Sequence, residues 1–237
     1  LATTQHLVAK FDLDTQLQTG LRNLPILQEL ECCDVAVVPT QWQKQQFPIP
    51  YQNKLNVIFD GIDRSFFHPQ GKSQSDGKAS LTLRNRETNE TFTVPKGSTL
   101  ISYATRGMET LRGFPEFMRS LPELLGRDET TYALIAGADR RAYSYEAPSH
   151  DGSWKQFLLA ELGEQLPLDR ILFTGLLDYT DYRALLWRSD LHCYFTRPYV
   201  TSWSLFEAAA CGARLAVNKS PATRGIAKDE TVTWVDL

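Results

Sequence analysis

Cysteine and histidine are scarce in this sequence, with four of each among 237 residues. The cysteines Cys32, Cys33, Cys193 and Cys211 form no CxxC pair, and none stands at a spacing from a histidine that is typical of a zinc site. We therefore expect reduced structural thiols, as in cytosolic proteins, and no metal centre. His192 lies inside the apolar run LHCYF, so we expect it in the core rather than as a ligand.

Long apolar runs and a strong charge of either sign are also missing. No run approaches the roughly eighteen residues that span a bilayer, and the first ten residues lack the basic stretch and apolar core of a signal peptide. A net charge of −3 and a pI of about 5.9 do not indicate a nucleic-acid or polybasic membrane surface. We expect a cytoplasmic protein without a nucleic-acid partner, with the inner face of the membrane as the alternative location.

Two glycine-rich phosphate-binding patterns are absent as well. The sequence contains neither GxGxxG nor GxxxxGK followed by Ser or Thr. A dinucleotide-binding fingerprint and a P-loop are therefore excluded, and any phosphate site has to be built differently.

From residue 99 onward, apolar β-like runs alternate with helical stretches. This alternation is typical of βαβ units with a parallel sheet and right-handed crossovers. The predicted strands are 99–105, 131–136, 170–174, 191–195, 214–217 and 231–235, and the predicted helices are 113–125, 154–162, 179–188 and 205–210. In the first helix, Pro122 is expected to kink the helix or restrict its first turns, and one apolar stripe is formed by Phe114, Phe117, Met118, Leu121 and Leu125.

The region before residue 99 is less regular. A helix at 22–31 precedes a strand at 34–38, whose continuous apolar run predicts burial on both faces. A short helix capped by Thr40 and ended by Pro48 follows, and then a strand at 55–59. Residues 69–80 are polar and predict a loop. Residues 81–85 and 91–94 fit a hairpin, with an irregular linker as the alternative.

Two arginines follow the predicted strand 99–105. Arg106-Gly107 and Arg112-Gly113 bracket a short loop that leads into a helix. Two guanidinium groups near a helix N-terminus can bind a diphosphate through bidentate hydrogen bonds and fixed charge. Taken alone, this pattern fits solvated surface arginines somewhat better.

A second polar cluster follows the strand 191–195. Ser202 and Ser204 are natural N-caps for a helix from Leu205, whose free backbone N–H groups would favour an anionic oxygen. Glu207 is expected on the first turn of that helix. Its carboxylate can accept both hydroxyls of a ribose, but taken alone it fits better as a complement to the helix dipole.

The ordered set of these segments resembles the nucleotide-sugar half of the retaining GT-B glycosyltransferases of family 4. The set consists of DGID (60–63), Arg106 with Arg112-Gly113, ALIAG (133–137), FTG (173–175), and Ser202-Trp203-Ser204 with EAAACG (207–212). The segments PTQWQKQQFP, RGFPEFMRSLPELL, AYSYEAP and RPYVTSWSLFEAAACG look like a bacterial branch that builds surface and exported polysaccharides. The match runs from about residue 22 to the end.

The resemblance implies a role for each matching position. Arg106 and Arg112 would hold the donor diphosphate and stabilise the leaving nucleotide, and Glu207 would hold its ribose. The donor-binding backbone and side chains are expected at Gly107, Gly175, Leu176, Tyr199, Ser202, Trp203 and Ser204. Gly61 would lie in the interdomain connection. Fixed positive groups replace a metal in this family, so no cofactor is implied.

The sequence departs from the family pattern at two points. Tyr199 stands where most members have a glutamate eight residues before the one matched by Glu207, so a tyrosine hydroxyl and backbone would have to contact the donor sugar here. The family also has a whole N-terminal domain for the acceptor and a C-terminal helix pair. We expect residues 1–64 to be the end of that N-terminal domain, 65–98 a linker or hairpin, and 99–237 a truncated donor domain. A fragment of a longer protein is favoured over a reduced natural version.

The predicted fold is α/β of GT-B type, with a Rossmann-like, doubly wound parallel sheet. The predicted function is transfer of a hexose from a nucleotide diphosphate sugar to a glycan or lipid-linked glycan, with retention of anomeric configuration. We expect the donor to be a UDP-sugar. Peripheral membrane association would come from the missing part. The alternatives are a non-catalytic GT-B-like binding module and, less favoured by the Ser202–Glu207 arrangement, a sugar-nucleotide epimerase or a phosphorylase.

Overall fold

A computed structural model describes residues 13–70, 78–197 and 201–237. The chain divides into a smaller unit that ends at Gly61 and a larger one that runs from Ile62 to Leu237. Gly61 itself has a positive φ of 82°, which glycine adopts without strain.

The smaller unit is a helix–strand–helix–strand arrangement. Its elements are helix α1 (Leu13–Cys32), strand β1 (Ala36–Val38), helix α2 (Gln41–Gln45), a 3₁₀ turn (Ile49–Lys54) and strand β2 (Leu55–Val57), and the two strands pair in parallel. Thr40 caps α2 as predicted, accepting from the backbone N–H of Gln43 at 3.1 Å. The predicted burial of the first strand on both faces is wrong. Val38 is buried but Val37, which points to the opposite face, is 58% exposed. The described apolar cluster of this unit, with Leu30 and Leu55, packs on the Val38 side.

The larger unit is built on six parallel strands, β5 (Thr99–Gly107), β6 (Thr131–Ala138), β7 (Ile171–Gly175), β8 (Leu191–Tyr194), β9 (Leu215–Asn218) and β10 (Val232–Val235). Their order in the sheet is β10-β9-β8-β5-β6-β7. The helices between them are α3 (Phe114–Gly126), α4 (Trp154–Leu162), α5 (Tyr179–Arg188), α6 (Trp203–Ala210) and α7 (Pro221–Arg224). The predicted α/β alternation from residue 99 is confirmed, and each predicted strand and helix lies within a few residues of an observed one.

Helix α3 carries the central part of the core. All five residues of its predicted apolar stripe are fully buried, and the ring of Tyr103 on β5 stacks on Phe117 at a centroid distance of 4.8 Å. Burying one such side chain stabilises the fold by about 1.5–3 kcal/mol, so the stripe fixes the helix firmly on the sheet. Pro122 lies in the ninth position of the helix, which continues to Gly126.

The predicted hairpin before the sheet is present as β3 (Leu81–Arg84) and β4 (Thr91–Val94), paired antiparallel. Arg188, which is buried, joins the start of the hairpin to the sheet by donating to the carbonyls of Ala79 and Ser98, each at 2.6 Å. The backbone N–H of Arg84 also donates to the carboxylate of Asp181 on α5 at 2.6 Å. The hairpin therefore belongs to the larger unit, in contrast to the irregular linker that was the alternative. Most of the predicted loop 69–80 lies outside the described residues.

None of the helices in the described part of the chain has the length and hydropathy needed to cross a bilayer. All four cysteines are free thiols. His192 is fully buried, as predicted.

Candidate functional site

The order of the six strands creates a switch point between β5 and β8. From β5 the chain continues to β6 and β7 on one side, and then returns to β8, β9 and β10 on the other. In open parallel sheets, ligands bind at such a point, outside the carboxyl ends of the strands. Arg106 is the next-to-last residue of β5, Arg112 follows that strand, and the predicted Ser–Trp–Ser cluster follows β8, so all of them lie at this edge.

The segment that follows β5 makes a tight turn at Arg112. Residues Thr110–Arg112 form one 3₁₀ turn, and Gly113 adopts φ +64° before α3 begins. The hydroxyl of Tyr103 donates to the Arg112 carbonyl at 2.8 Å. A side chain at Gly113 is excluded by close approach, since its Cβ would lie 2.5 Å from that of Phe195. We call residues 106–113 the clamp segment.

The clamp segment is bonded directly to the chain that follows β8. The backbone N–H of Arg197 donates to the Leu111 carbonyl at 3.0 Å, and Nη1 of Arg112 lies 3.5 Å from Oγ1 of Thr196. Thr196 is itself held by Asn218 at the end of β9, whose side-chain amide exchanges hydrogen bonds of 2.8 and 2.9 Å with the Thr196 backbone. Residues at the ends of three neighbouring strands are thus bonded to one another beside Arg112.

Arg106 lies at the other end of the clamp segment, and its Nη1 donates to the hydroxyl of Tyr143 at 3.2 Å. Tyr143 belongs to residues 139–147, which follow β6 and which we call the tyrosine loop. Gly107 allows this loop to approach, because a Cβ there would lie 2.5 Å from the Arg140 carbonyl oxygen. Gly107 is thus required for the close packing of this loop, and its predicted contact with the donor stays a prediction.

The serine cluster differs in detail from the prediction. Helix α6 begins at Trp203, so Ser202 is the N-cap residue but its side chain makes no capping hydrogen bond, and Ser204 lies inside the helix. The two hydroxyls bond each other at 2.6 Å, and the N–H of Ser202 donates to the hydroxyl of Tyr194 at 2.9 Å. The early start of α6 also corrects the position of Glu207, which is in the second turn rather than the first.

Glu207 is a buried carboxyl group with 9% of its surface exposed. Burial raises its pKa above the ordinary value, and the neighbouring Tyr182 hydroxyl acts in the opposite direction. Tyr182 on α5 is partly buried, and its hydroxyl, which lies beside the Glu207 carboxylate, makes no hydrogen bond of normal geometry in the described part of the chain. A carboxyl group in this position has lost most of its water and is therefore sensitive to any hydroxyl that reaches it.

Gly175 and Leu176 lie farther along the sheet, at the end of β7. Gly175 has φ +67°, and the Leu176 carbonyl accepts from the N–H of Arg86 in the hairpin turn at 2.9 Å. Two strand spacings separate this point from β5, and the described contacts do not join it to the arginines. Tyr199 lies outside the described residues, so its expected contact with a donor sugar remains a prediction.

Sequence reasoning missed Glu109, Thr196, Asn218 and Tyr182. Asn218 could have been found, because it is a polar residue directly after an apolar strand at the same edge of the sheet. Glu109 stands between the two arginines, but nothing in the sequence indicates that it is buried. Groups of three or more His, Cys, Asp or Glu side chains that could hold a metal ion do not occur in the described ranges.

Solved structures with a similar fold support this description. Sucrose-phosphate synthase from Thermosynechococcus elongatus is 16% identical and aligns with a TM-score of 0.64 over 100% of this chain and 51% of its own. The fold is that of a GT-B glycosyltransferase. The pneumococcal O-GlcNAc transferase GtfA, solved in complex with UDP and GlcNAc, is 12% identical, with a TM-score of 0.60 over 91% of this chain and 36% of its own.

A third structure matches mainly one domain. The C-terminal domain of a glycosyl transferase group 1 family protein from Francisella tularensis is 19% identical, with a TM-score of 0.50 over 74% of this chain and 80% of its own. The chain thus spans about half of the synthase and a larger share of an isolated GT-B domain. The described sheet is accordingly a partial Rossmann-like domain.

A comparison with family models also finds a glycosyltransferase family. The model of the glycosyl transferase family 4 group matches residues 7–67, about a quarter of the chain. No curated protein sequence gives a significant match.

Proposed function

We propose that this chain is the donor-binding part of a glycosyltransferase that transfers a hexose from a nucleotide diphosphate sugar to a glycan hydroxyl with retention of configuration. One observation carries the proposal. The clamp segment, which begins with the last two residues of β5, and the chain after β8 are bonded to each other at the switch point of the sheet, with Arg112 between them. A phosphate group bound there would meet fixed positive charge and the N-terminus of α6.

The proposed roles follow the resemblance to family 4. Arg106 and Arg112 bind the donor diphosphate and stabilise the charge that develops on the leaving nucleotide. The backbone of residues 202–204 contacts the phosphate and the donor sugar, and Glu207 accepts the ribose hydroxyls. Gly175 and Leu176 lie beside the base. The leaving phosphate helps to deprotonate the acceptor on the same face, so the proposal includes no protein nucleophile.

UDP is the proposed nucleotide because of the resemblance to family 4 and because similar folds have been solved with it. GtfA was solved with UDP and GlcNAc, and the family 4 model matches residues 7–67. The proposed acceptor is a glycan, free or lipid-linked, in bacterial polysaccharide synthesis, and it rests on the resemblance of the segments quoted above.

A panel of nucleotide sugars tests the donor. Thermal shifts of the 237-residue chain would be measured with UDP-, GDP-, ADP- and dTDP-sugars, because a ligand at a hundred times its Kd stabilises by about 2.7 kcal/mol. We expect the largest shift with a UDP-sugar. Equal shifts with all four would contradict the preference for UDP, and no shift with any of them would contradict the proposed site.

Turnover distinguishes the enzyme from a non-catalytic binding module. The chain, and the longest natural protein that contains it, would be incubated with labelled donor with and without glycan acceptors. Nuclear magnetic resonance of the product would give the anomeric configuration. Transfer or donor hydrolysis with retention supports the proposal, whereas binding without turnover in either protein would identify a binding module.

A further inference from the structure

Glu109 lies inside the clamp segment and is completely buried. Its Oε2 accepts hydrogen bonds from three successive backbone N–H groups of the tyrosine loop, those of Ala142 at 2.7 Å, Tyr143 at 2.8 Å and Ser144 at 3.0 Å. Three consecutive N–H groups that converge in this way form an anion-binding nest. Here the anion is a side chain of the same protein.

The other carboxylate oxygen of Glu109 is buried without a hydrogen-bond partner in the described parts of the chain. Burial of a charged group is costly unless it is hydrogen bonded. The three amide donors therefore account for the bonding of this carboxylate, and the loop and the clamp segment are held together through one oxygen atom.

The tyrosine loop returns to the clamp segment at Arg106. Tyr143 supplies one of the three amides, and its hydroxyl accepts from Nη1 of Arg106 at 3.2 Å. The backbone N–H of Met108 also donates to the Ala138 carbonyl at 3.1 Å, at the start of the loop. Glu109 and Arg106, three residues apart, thus contact the same tyrosine from two sides.

We infer that Glu109 is a positioning residue for the diphosphate clamp. It fixes the backbone of residues 142–144, this fixes the Tyr143 hydroxyl, and the hydroxyl holds the Arg106 guanidinium in its binding position. The inference rests on the proposed function, in which Arg106 binds the donor diphosphate.

The first experiment measures the affinities of UDP and uridine by calorimetry. Tyr143→Phe keeps the backbone hydrogen bond to Glu109 but removes the hydroxyl that contacts Arg106. We expect UDP affinity to fall about three- to tenfold, as for the loss of one net hydrogen bond. Uridine affinity and Tm should stay unchanged. Tyr145→Phe is the matched control, because this tyrosine is in the same loop and is 82% exposed. It should bind UDP like the wild type.

The second experiment compares Glu109→Gln with Glu109→Ala. Glutamine keeps a carbonyl oxygen for the three amides, so it should retain more UDP affinity than alanine. Hydrogen exchange at residues 142–144 should accelerate in Glu109→Ala and less in Glu109→Gln. The double variant Glu109→Gln/Tyr143→Phe should bind UDP no more weakly than the weaker single variant, since both changes act through the same hydroxyl.

Three results would overturn the inference. These are unchanged UDP affinity in Tyr143→Phe, equal losses for UDP and uridine in Glu109→Gln, which indicate a general structural role, and additive losses in the double variant. A wild-type chain that binds neither UDP nor another nucleoside diphosphate would overturn the proposed function, and this inference with it. That failure is recognised before any variant is measured.

Discussion

The hydroxyl of Tyr103 donates a 2.8 Å hydrogen bond to the carbonyl of Arg112. Tyr103 is in the middle of β5 and is 1% exposed, whereas Arg112 ends the turn that follows the same strand. One buried side chain thereby links the core of the sheet to the backbone that carries the proposed phosphate-binding guanidinium. Burial raises the pKa of Tyr103 well above its ordinary value, so the hydroxyl stays protonated and remains a donor.

Replacing Tyr103 by phenylalanine should remove this link without leaving a cavity. We expect the free energy of unfolding to fall by about 1 kcal/mol, the net contribution of one hydrogen bond, more if the Arg112 carbonyl finds no other donor. UDP affinity should fall as well, because the turn loses its anchor. Urea unfolding and calorimetry measure the two effects. An unchanged affinity would show that the turn is held by its other contacts.

Arg112→Ala should weaken UDP binding about tenfold to a hundredfold, since hydrogen bonds to a charged group contribute about 1.5–3 kcal/mol. Arg112→Lys should give a smaller loss, because lysine keeps the charge but not the bidentate geometry. The control is Arg127→Ala. Arg127 pairs with Glu123 at the C-terminal end of α3, toward the opposite edge of the sheet, and should not affect binding. Wild-type affinity in Arg112→Ala would exclude the clamp.

Gly113→Ala should destabilise the protein. Alanine at φ +64° is strained, and its Cβ would lie 2.5 Å from the Cβ of Phe195, so we expect a loss of about 1–3 kcal/mol or more. Gly126→Ala is the matched control, because it ends the same helix and its Cβ would meet nothing within 4 Å. Urea unfolding of the two variants compares the cost directly. Equal stabilities would mean that the turn relaxes freely.

Glu207→Gln tests recognition of the ribose. We expect it to weaken UDP binding but to leave the weaker binding of 2′,3′-dideoxy-UDP unchanged, because the carboxylate acts through the two hydroxyls. The ratio of the UDP and dideoxy-UDP affinities, compared between the wild type and the variant, gives the coupling energy between Glu207 and the ribose hydroxyls. If both ligands lose affinity equally, Glu207 only supports the fold at this position.

Because His192 is buried, we expect the free energy of unfolding to depend on pH. Burial lowers its pKa from 6.5 to about 4, and its Nδ1 is bonded to the hydroxyl of Ser102 at 2.8 Å. The unfolded chain binds the proton more tightly than the folded one. The contribution of neutral His192 to the free energy of unfolding is therefore fully present above pH 6.5 and is lost as the pH falls toward 4.

Between pH 7 and 4.5, the wild type should therefore lose about 2 kcal/mol more than His192→Gln, which does not titrate. Urea unfolding at several pH values measures this difference. Parallel pH profiles in the two proteins would show that His192 contributes nothing.

By itself, the sequence determined the parallel α/β architecture, the bounds of α4 and α5, and the apolar face of α3. These follow from local periodicity and from the fact that an apolar stripe has to be buried. It also predicted that Arg106, Arg112 and the segment 202–207 meet, since the carboxyl ends of parallel strands share one edge.

The tertiary structure alone decided the remaining details of the site. Glu109 is buried and accepts from three amides that are 33 to 35 positions away in the sequence. Thr196 and Asn218 are bonded to each other although they are 22 positions apart. The start of α6 at Trp203 moved Glu207 into a buried second turn. Such contacts depend on which strands become neighbours, and local sequence patterns do not encode that order.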